Sequence, residues 1–169
     1  MNKDNRYELI IIGGGAGAFS AAIKAETLGK KALMISGGPL GGTCVNVGCV
    51  PSKRLLAVSE FYKSAKNSKY AGIKSDVSDF DFKLVVNSKR NLVNKFQGLK
   101  YQDVADSWSN VTLIEGMAKF VKDHAIEVNG KEYYGEKIHI ATGSSPFIPK
   151  VKGLDSVDYL TNVEALELE

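Results

Sequence analysis

Cysteine, histidine and proline are all scarce in this chain, at two, two and four among 169 residues. Two cysteines cannot frame a disulfide-rich secreted domain, and His124 and His139 are too few for a metal-rich fold. No apolar stretch is long enough to span a bilayer, and neither an internal repeat nor a low-complexity segment is present. No block of one charge sign occurs either. The formal net charge of +3 and pI near 8.7 come from scattered lysines with acids between them, ending in Glu164, Glu167 and Glu169, which argues against nucleic acid or a membrane as partner.

What is present is ordinary soluble-protein material, 44% hydrophobic and 24% charged, and enough chain for a well-packed core. The opening MNKDNRYELIIIGGGAGAFSAA has the early charges and apolar run of a signal peptide. Its glycines break that run, however, and Asp4 and Glu8 dilute the positive charge, so a cytoplasmic location is expected. In that compartment a cysteine pair points to catalysis or metal binding rather than to a structural staple.

Tyr7 to Ile12 reads as a strand ending at Gly13, Ala16 to Leu28 as a helix stopped by Gly29, and Ala32 to Ile35 as the next strand. This is the opening β-α-β of a doubly wound, Rossmann-like parallel sheet, with its ligand beyond the carboxyl ends of the strands. Lys53 to about Ser68 reads as a helix with Leu55, Leu56, Val58 and Phe61 near one face and Lys63, Lys66 and Lys69 solvated. A second helix is expected over Phe82 to Trp108, with Gly98 as a point of interruption, and its basic residues are expected on a solvated face. Strands follow at Val111 to Glu115, Ala118 to Val121, Ala125 to Val128, Glu132 to Tyr134 and Lys137 to Ala141. Asn129-Gly130 marks a hairpin, and Pro146 and Pro149 end regular structure. The expected architecture is a three-layer α/β fold with a parallel sheet and a small antiparallel β-meander.

GGGAGA at Gly13 to Ala18 fits the GxGxxG/A fingerprint through Gly13, Gly15 and Ala18, between a strand and a helix. Gly13 permits the tight turn, Gly15 lets backbone approach a pyrophosphate, and Ala18 allows close helix packing. The fingerprint expects an acid about twenty residues on to bind a ribose, and that place holds Ser36. Losing a charge-assisted hydrogen bond costs ~1.5–3 kcal/mol, roughly tenfold to a hundredfold in affinity. Glutamate at position 36 is therefore expected to tighten binding unless another group already serves the ribose.

Cys44 and Cys49 stand in GGTCVNVGCVPSK, Gly41 to Lys53, where four intervening residues let the two thiols close a small ring. Placement near a helix start favours thiolate, but that field supplies at most ~2 kcal/mol, which makes Lys53 a candidate second source of activation. The residues also leave open an inert pair, or half a zinc site completed by His124 or His139.

With the glycine fingerprint, GGTCVNVGCVPSK and IATGSSPFIP in view, the chain resembles the FAD-dependent pyridine nucleotide-disulfide oxidoreductases along essentially its whole length. Valine after each cysteine, followed by Pro51-Ser52-Lys53, is most similar to the mercuric reductase branch. Lipoamide dehydrogenases usually carry leucine and isoleucine at those two positions. The resemblance implies FAD across Gly13, Gly15, Gly17, Ala18, Ser36, Gly42 and Thr43, with its isoalloxazine against Cys49 and Lys53. It also implies FAD contacts at Gly116, Ala118, Ala141, Thr142 and Gly143. Cys44 becomes the interchange thiol, Cys49 the flavin-facing thiol, and both the ligands of a mercuric-ion substrate reduced with electrons from NADPH.

On this reading residues 1–169 are the N-terminal part of an FAD-binding domain. The nicotinamide-binding domain with its second glycine fingerprint, and the dimerisation domain of the homodimeric family members, are not in the sequence. Such a piece is expected to be inactive alone. Two other functions fit the same residues: the first part of a dihydrolipoamide dehydrogenase-type disulfide reductase, and a non-catalytic nucleotide-binding or redox-sensing module.

Overall fold

The computed structural model describes residues 5–169; Met1 to Asp4, and with them the Asp4 of the signal-peptide argument, lie outside the described residues. The chain forms two compact units. The first comprises the residues up to Thr43 together with Phe96–Ser144, and the second Cys44–Lys95 with Ser145–Glu169.

In the first unit, strands β1 (Arg6–Ile12), β2 (Ala32–Ser36), β3 (Val111–Glu115), β4 (Lys119–Lys122), β5 (Ala125–Val128) and β6 (Lys131–Ile140) form one sheet in the order β3-β2-β1-β6-β5-β4. The β3-β2-β1-β6 portion is parallel and β6-β5-β4 is antiparallel. The sequence suggests two strands between Glu132 and Ala141, whereas β6 is a single ten-residue strand. Its first half pairs antiparallel with β5 and the rest runs parallel to β1, with Tyr134 paired on both sides. Gly135 sits where the partner changes. A Cβ there would come 2.9 Å from Ile10 Cγ1, so only glycine leaves room for the crossover.

Helix α1 (Ala16–Thr27) covers one face of the parallel strands, and the period-2 alternation of β1 divides its isoleucines between two cores. Ile11 joins Ala18, Phe19, Ala22, Ala25, Ala32 and Met34 on the α1 side. Ile10 and Ile12 join Leu33, Ile35, Ile126, Val128 and Tyr133 on the other, a core shared with the antiparallel end of the sheet. The alanines of α1 recur at helical spacing and let it lie close to the sheet. Phe19 adds an edge-on contact with Tyr101 at 4.7 Å between ring centroids, an arrangement worth about 0.5–1.5 kcal/mol beyond its area.

Two devices fix the ends of these elements. Gly29, at φ +62°, closes α1 in a Schellman turn, with Lys30 N–H donating to Ala25 O and Gly29 N–H to Glu26 O, both at 2.9 Å. The Glu26 carboxylate then accepts the backbone N–H groups of Ser109, Asn110 and Val111 at 2.8 to 3.2 Å, tying α1 to the start of β3. Asn129 and Gly130 have φ of 52° and 74° between paired Val128 and Lys131, the two-residue hairpin expected of that dipeptide.

In the second unit, α3 (Cys49–Lys66) begins four residues before the expected Lys53, because Pro51 falls in the first turn where its missing N–H is no loss. Its half-buried stripe is Ser52, Leu55, Val58, Tyr62 and Ala65. Leu56 and Phe61, expected on the apolar face, stand off that stripe and are 60% and 76% exposed. The single expected helix from Phe82 to Trp108 is three pieces: α4 (Phe82–Gln97), then, within the first unit, a π-helical turn at Gly98–Gln102 and α5 (Asp103–Asp106). The break falls at Gly98, which holds helical dihedrals less firmly than other residues.

Lys63, Lys66 and Lys69 are solvated as expected, but Lys89 of α4 is 1% exposed. Its Nζ donates to Leu166 O and to the Glu167 carboxylate, while Arg90 Nε donates to Glu167 at 2.7 Å. These ion pairs hold the stretch after α6 (Asn162–Ala165) against α4. Helix α6 itself starts with a Thr161–Glu164 capping box.

Candidate functional site

The carboxyl ends of β1, β2, β3 and β6 carry the glycine turns, as the sheet topology requires. Gly13 has φ +138°, a conformation open only to glycine, and a Cβ on it would lie 2.1 Å from Ala141 O. The first β-α turn is thereby pressed onto the Ala141-Thr142-Gly143 segment. Gly15 and Gly42 meet backbone to backbone, since a Cβ on Gly42 would be 2.8 Å from Gly15 Cα. Gly41 N–H donates to Gly14 O at 2.8 Å, holding the second glycine turn against the first. Helix α1 has no side-chain cap at Gly15, so the N–H groups of its first turn are left to an external acceptor. Gly17 packs beside the Ala141 methyl, while Thr43, Thr142 and Gly143 are exposed around the cradle.

Gly116 follows β3 with φ +154°, and Ala118 packs against the core on the meander side. Ser36 ends β2 where the ribose-binding acid is expected, yet it is only 3% exposed. Its hydroxyl donates to Gly38 O at 2.7 Å, and a Cβ on Gly14 would lie 2.1 Å from Ser36 Oγ. Two further residues stand at this end of the sheet. Glu115 pairs with Ser36 in the β2–β3 register, and exposed Met117 lays its sulfur over Gly37. Neither carries a motif signal, because strand register joins residues 79 positions apart.

In the second unit Cys44 lies in the short helix α2 (Gly42–Asn46), and Cys49 is the first residue of α3. Both are free thiols and both are exposed. They are in hydrogen-bond contact: the bond with the Cys49 side chain, aided by partial desolvation, holds the Cys44 thiol above the ordinary thiol range. The Cys49 backbone N–H and the Lys53 charge act on Cys44 in the opposite direction but more weakly. Helix-start placement was expected to favour thiolate. At Cys44 the net shift is upward, led by the bond with the neighbouring thiol, and Lys53 contributes the smallest influence.

A zinc site is not assembled: among the described residues no three His, Cys, Asp or Glu side chains converge. His124 turns its Nδ1 to Gly135 O at 3.0 Å, at a positive-φ turn between β4 and β5, and His139 is exposed in β6. Among the described residues no helix is long and apolar enough to cross a membrane.

A glycine-lined cradle at the switch point of a parallel sheet, followed in sequence by two neighbouring exposed thiols, combines the features of a nucleotide-binding fold and a dithiol motif. The chain belongs to the pyridine nucleotide-disulphide oxidoreductase family, whose model matches residues 7–169. It is 44% identical over 169 residues to a mercuric reductase of Lysinibacillus sphaericus, covering all of this chain and 31% of that protein. It is 42% identical over 169 residues to a mercuric reductase of Staphylococcus aureus, with the same coverage. A chloroplastic dihydrolipoyl dehydrogenase of Arabidopsis thaliana is 35% identical over 173 residues, across 99% of this chain and 30% of that protein. The HOCl-induced flavoprotein disulfide reductase RclA of Escherichia coli has a similar structure, with TM-score 0.79 and 26% identity over 96% of this chain and 34% of RclA. The chain thus spans about a third of the length of the relatives it matches.

Proposed function

We propose that residues 1–169 are the N-terminal part of the FAD-binding domain of a mercuric reductase-like oxidoreductase. The observation that carries this is the pair of exposed, hydrogen-bonded thiols of Cys44 and Cys49 within a chain 42–45% identical to mercuric reductases. In this proposal the nicotinamide-binding and dimerisation domains belong to the rest of the protein, which is a cytoplasmic homodimer using NADPH.

The cradle suits a flavin nucleotide. Three backbone turns meet without side chains between them, a Cβ at Gly13 or Gly42 would fill the space, and the uncapped first turn of α1 offers N–H donors to a pyrophosphate. Gly13, Gly15, Gly17, Ala18, Gly42, Thr43, Ala141, Thr142 and Gly143 would hold FAD, with Ser36, Gly116 and Ala118 toward the adenosine half. When bound, FAD supplies the means to accept two electrons as hydride from NADPH and release them to sulfur or metal.

The residues of the chain do the rest. Two electrons and two protons convert a Cys44–Cys49 disulfide to the dithiol found here. Cys44, holding its proton above the usual thiol range, releases it when a soft metal binds, because metal coordination requires the thiolate. Two thiolates match a soft divalent ion such as mercuric ion, whose reduction to the element takes two electrons. Lys53 favours the anionic sulfur through its charge.

A second reading, a dihydrolipoamide dehydrogenase-type enzyme in which Cys44 attacks a disulfide, draws support from the 35% identity to the Arabidopsis protein. Assay of the intact protein separates the two. Mercuric ion is expected to drive NADPH oxidation and lipoamide is not. Partial reduction should also give a long-wavelength charge-transfer band that Cys49→Ser abolishes. Lipoamide turnover without mercury reduction would replace the first reading with the second, and a protein that takes up no FAD would end both.

A further inference from the structure

We propose that Glu115 binds the ribose hydroxyls of the adenosine half of the bound nucleotide, in place of the acid that position 36 lacks. The inference rests on the flavin-nucleotide reading of the cradle. A ribose diol at the carboxyl end of β2 is ordinarily met by a carboxylate, the strongest neutral-pH acceptor for two hydroxyl donors. Ser36 is poorly placed to substitute: it is 3% exposed, its proton goes to Gly38 O at 2.7 Å, and its Oγ lies against Gly14.

Glu115 stands next to it. The parallel register pairs Ser36 directly with Glu115, which moves the acid by one strand spacing of ~4.8 Å at the same end of the sheet. The face is also right. Val111 and Leu113 pack with the α1-side core, so the period of two puts Glu115 on that face, shared with Ala32, Met34 and Ser36.

The backbone that carries Glu115 is held on both sides. Glu115 O accepts from Asn129 Nδ2 at 2.9 Å, and Gly116 N–H donates to Ser36 O at 2.9 Å, extending the β2–β3 ladder past the end of β3. At Gly116, φ is +154° and a Cβ would lie 2.6 Å from Asn129 Oδ1, so the turn after Glu115 packs closely on the hairpin and accepts only glycine. The carboxylate is exposed and, among the described residues, has no hydrogen-bond or ion-pair partner, leaving both oxygens to accept from a ligand.

The test uses ADP and 2′-deoxy-ADP, which differ by one ribose hydroxyl, titrated calorimetrically into the intact protein after FAD removal. The unaltered protein should prefer ADP by roughly tenfold or more, the range for a hydrogen bond to a charged group. Glu115→Gln should lose most of that preference while binding 2′-deoxy-ADP almost normally; a merely structural role would weaken both nucleotides alike. If Glu115→Gln fails to fold, Glu115→Ser gives the same comparison. A folded variant that keeps the full preference, or an unaltered protein that shows none, overturns the assignment. A protein that binds neither ADP nor FAD removes the flavin-nucleotide reading and this inference together. The assignment also reverses the expectation for Ser36→Glu, which would set a second negative charge beside Glu115 and should not tighten FAD binding.

Discussion

Gly13→Ala isolates the contact on which the cradle depends. The added methyl meets two separate penalties. At φ +138° an L-residue occupies a region open essentially to glycine alone, a strain of about 1–3 kcal/mol. The Cβ would also lie 2.1 Å from Ala141 O and 2.7 Å from Ala141 C, both backbone atoms of a segment anchored by Ala141 N–H donating to Ile12 O at 2.8 Å. Forcing that apart adds about 1–3 kcal/mol of overpacking, so the whole effect is about 2–6 kcal/mol against a typical stability of about 5–15 kcal/mol. In urea, with a slope of about 2 kcal/mol per molar, the unfolding midpoint should fall by roughly 2 M. Gly29→Ala is the control, since Gly29 also has positive φ, +62°, but nothing lies within 4 Å of an added Cβ. Its midpoint should fall by about 1 M or less, reflecting backbone strain alone. Equal midpoint losses for the two variants, followed by circular dichroism without cofactor, would refute the claim that the first turn bears directly on Ala141.

Two further outcomes follow from the electrostatics. Because the bond with the Cys49 side chain is the main cause of the raised Cys44 pKa, Cys49→Ala should move the pH midpoint for iodoacetamide alkylation of Cys44 downward; Lys53→Ala should move it upward, and an unmoved midpoint in Cys49→Ala would contradict the contact. The Glu26 carboxyl is held below its ordinary range by the backbone N–H groups of Ser109 and Asn110, so its contribution to stability is present above the unfolded-state pKa and lost as pH falls through the lower folded value. Glu26→Gln should therefore lower the melting temperature at pH 7 and have a shrinking effect toward pH 3, measured by thermal unfolding across that range; a pH-independent difference would show that the carboxylate charge is irrelevant.

The legible part of the site was local. Gly13, Gly15 and Ala18 could be read because a tight turn entering a helix imposes residue types at fixed short spacing, and the cysteine run was legible for the same reason. Strand limits at β3 and β5 and the Asn129-Gly130 hairpin followed from β-branched content and turn chemistry. Where the reading failed, the deciding partner was distant. β6 looked like two strands because its first half answers to β5 and its second to β1, two different alternation patterns joined at Gly135. Lys89 looked like a solvated helix lysine because its partners, Leu166 O and Glu167, lie 77 and 78 residues away.

The sequence by itself determined the family, the nucleotide turn and the dithiol, since each is written in contiguous residues whose chemistry needs no distant partner. Tertiary structure alone decided that Ser36 turns its hydroxyl inward and that Glu115 stands beside it. The physical reason is the same in each case. A side chain's environment is set by what the backbone brings alongside it, and sheet register is not encoded at any fixed spacing along the chain.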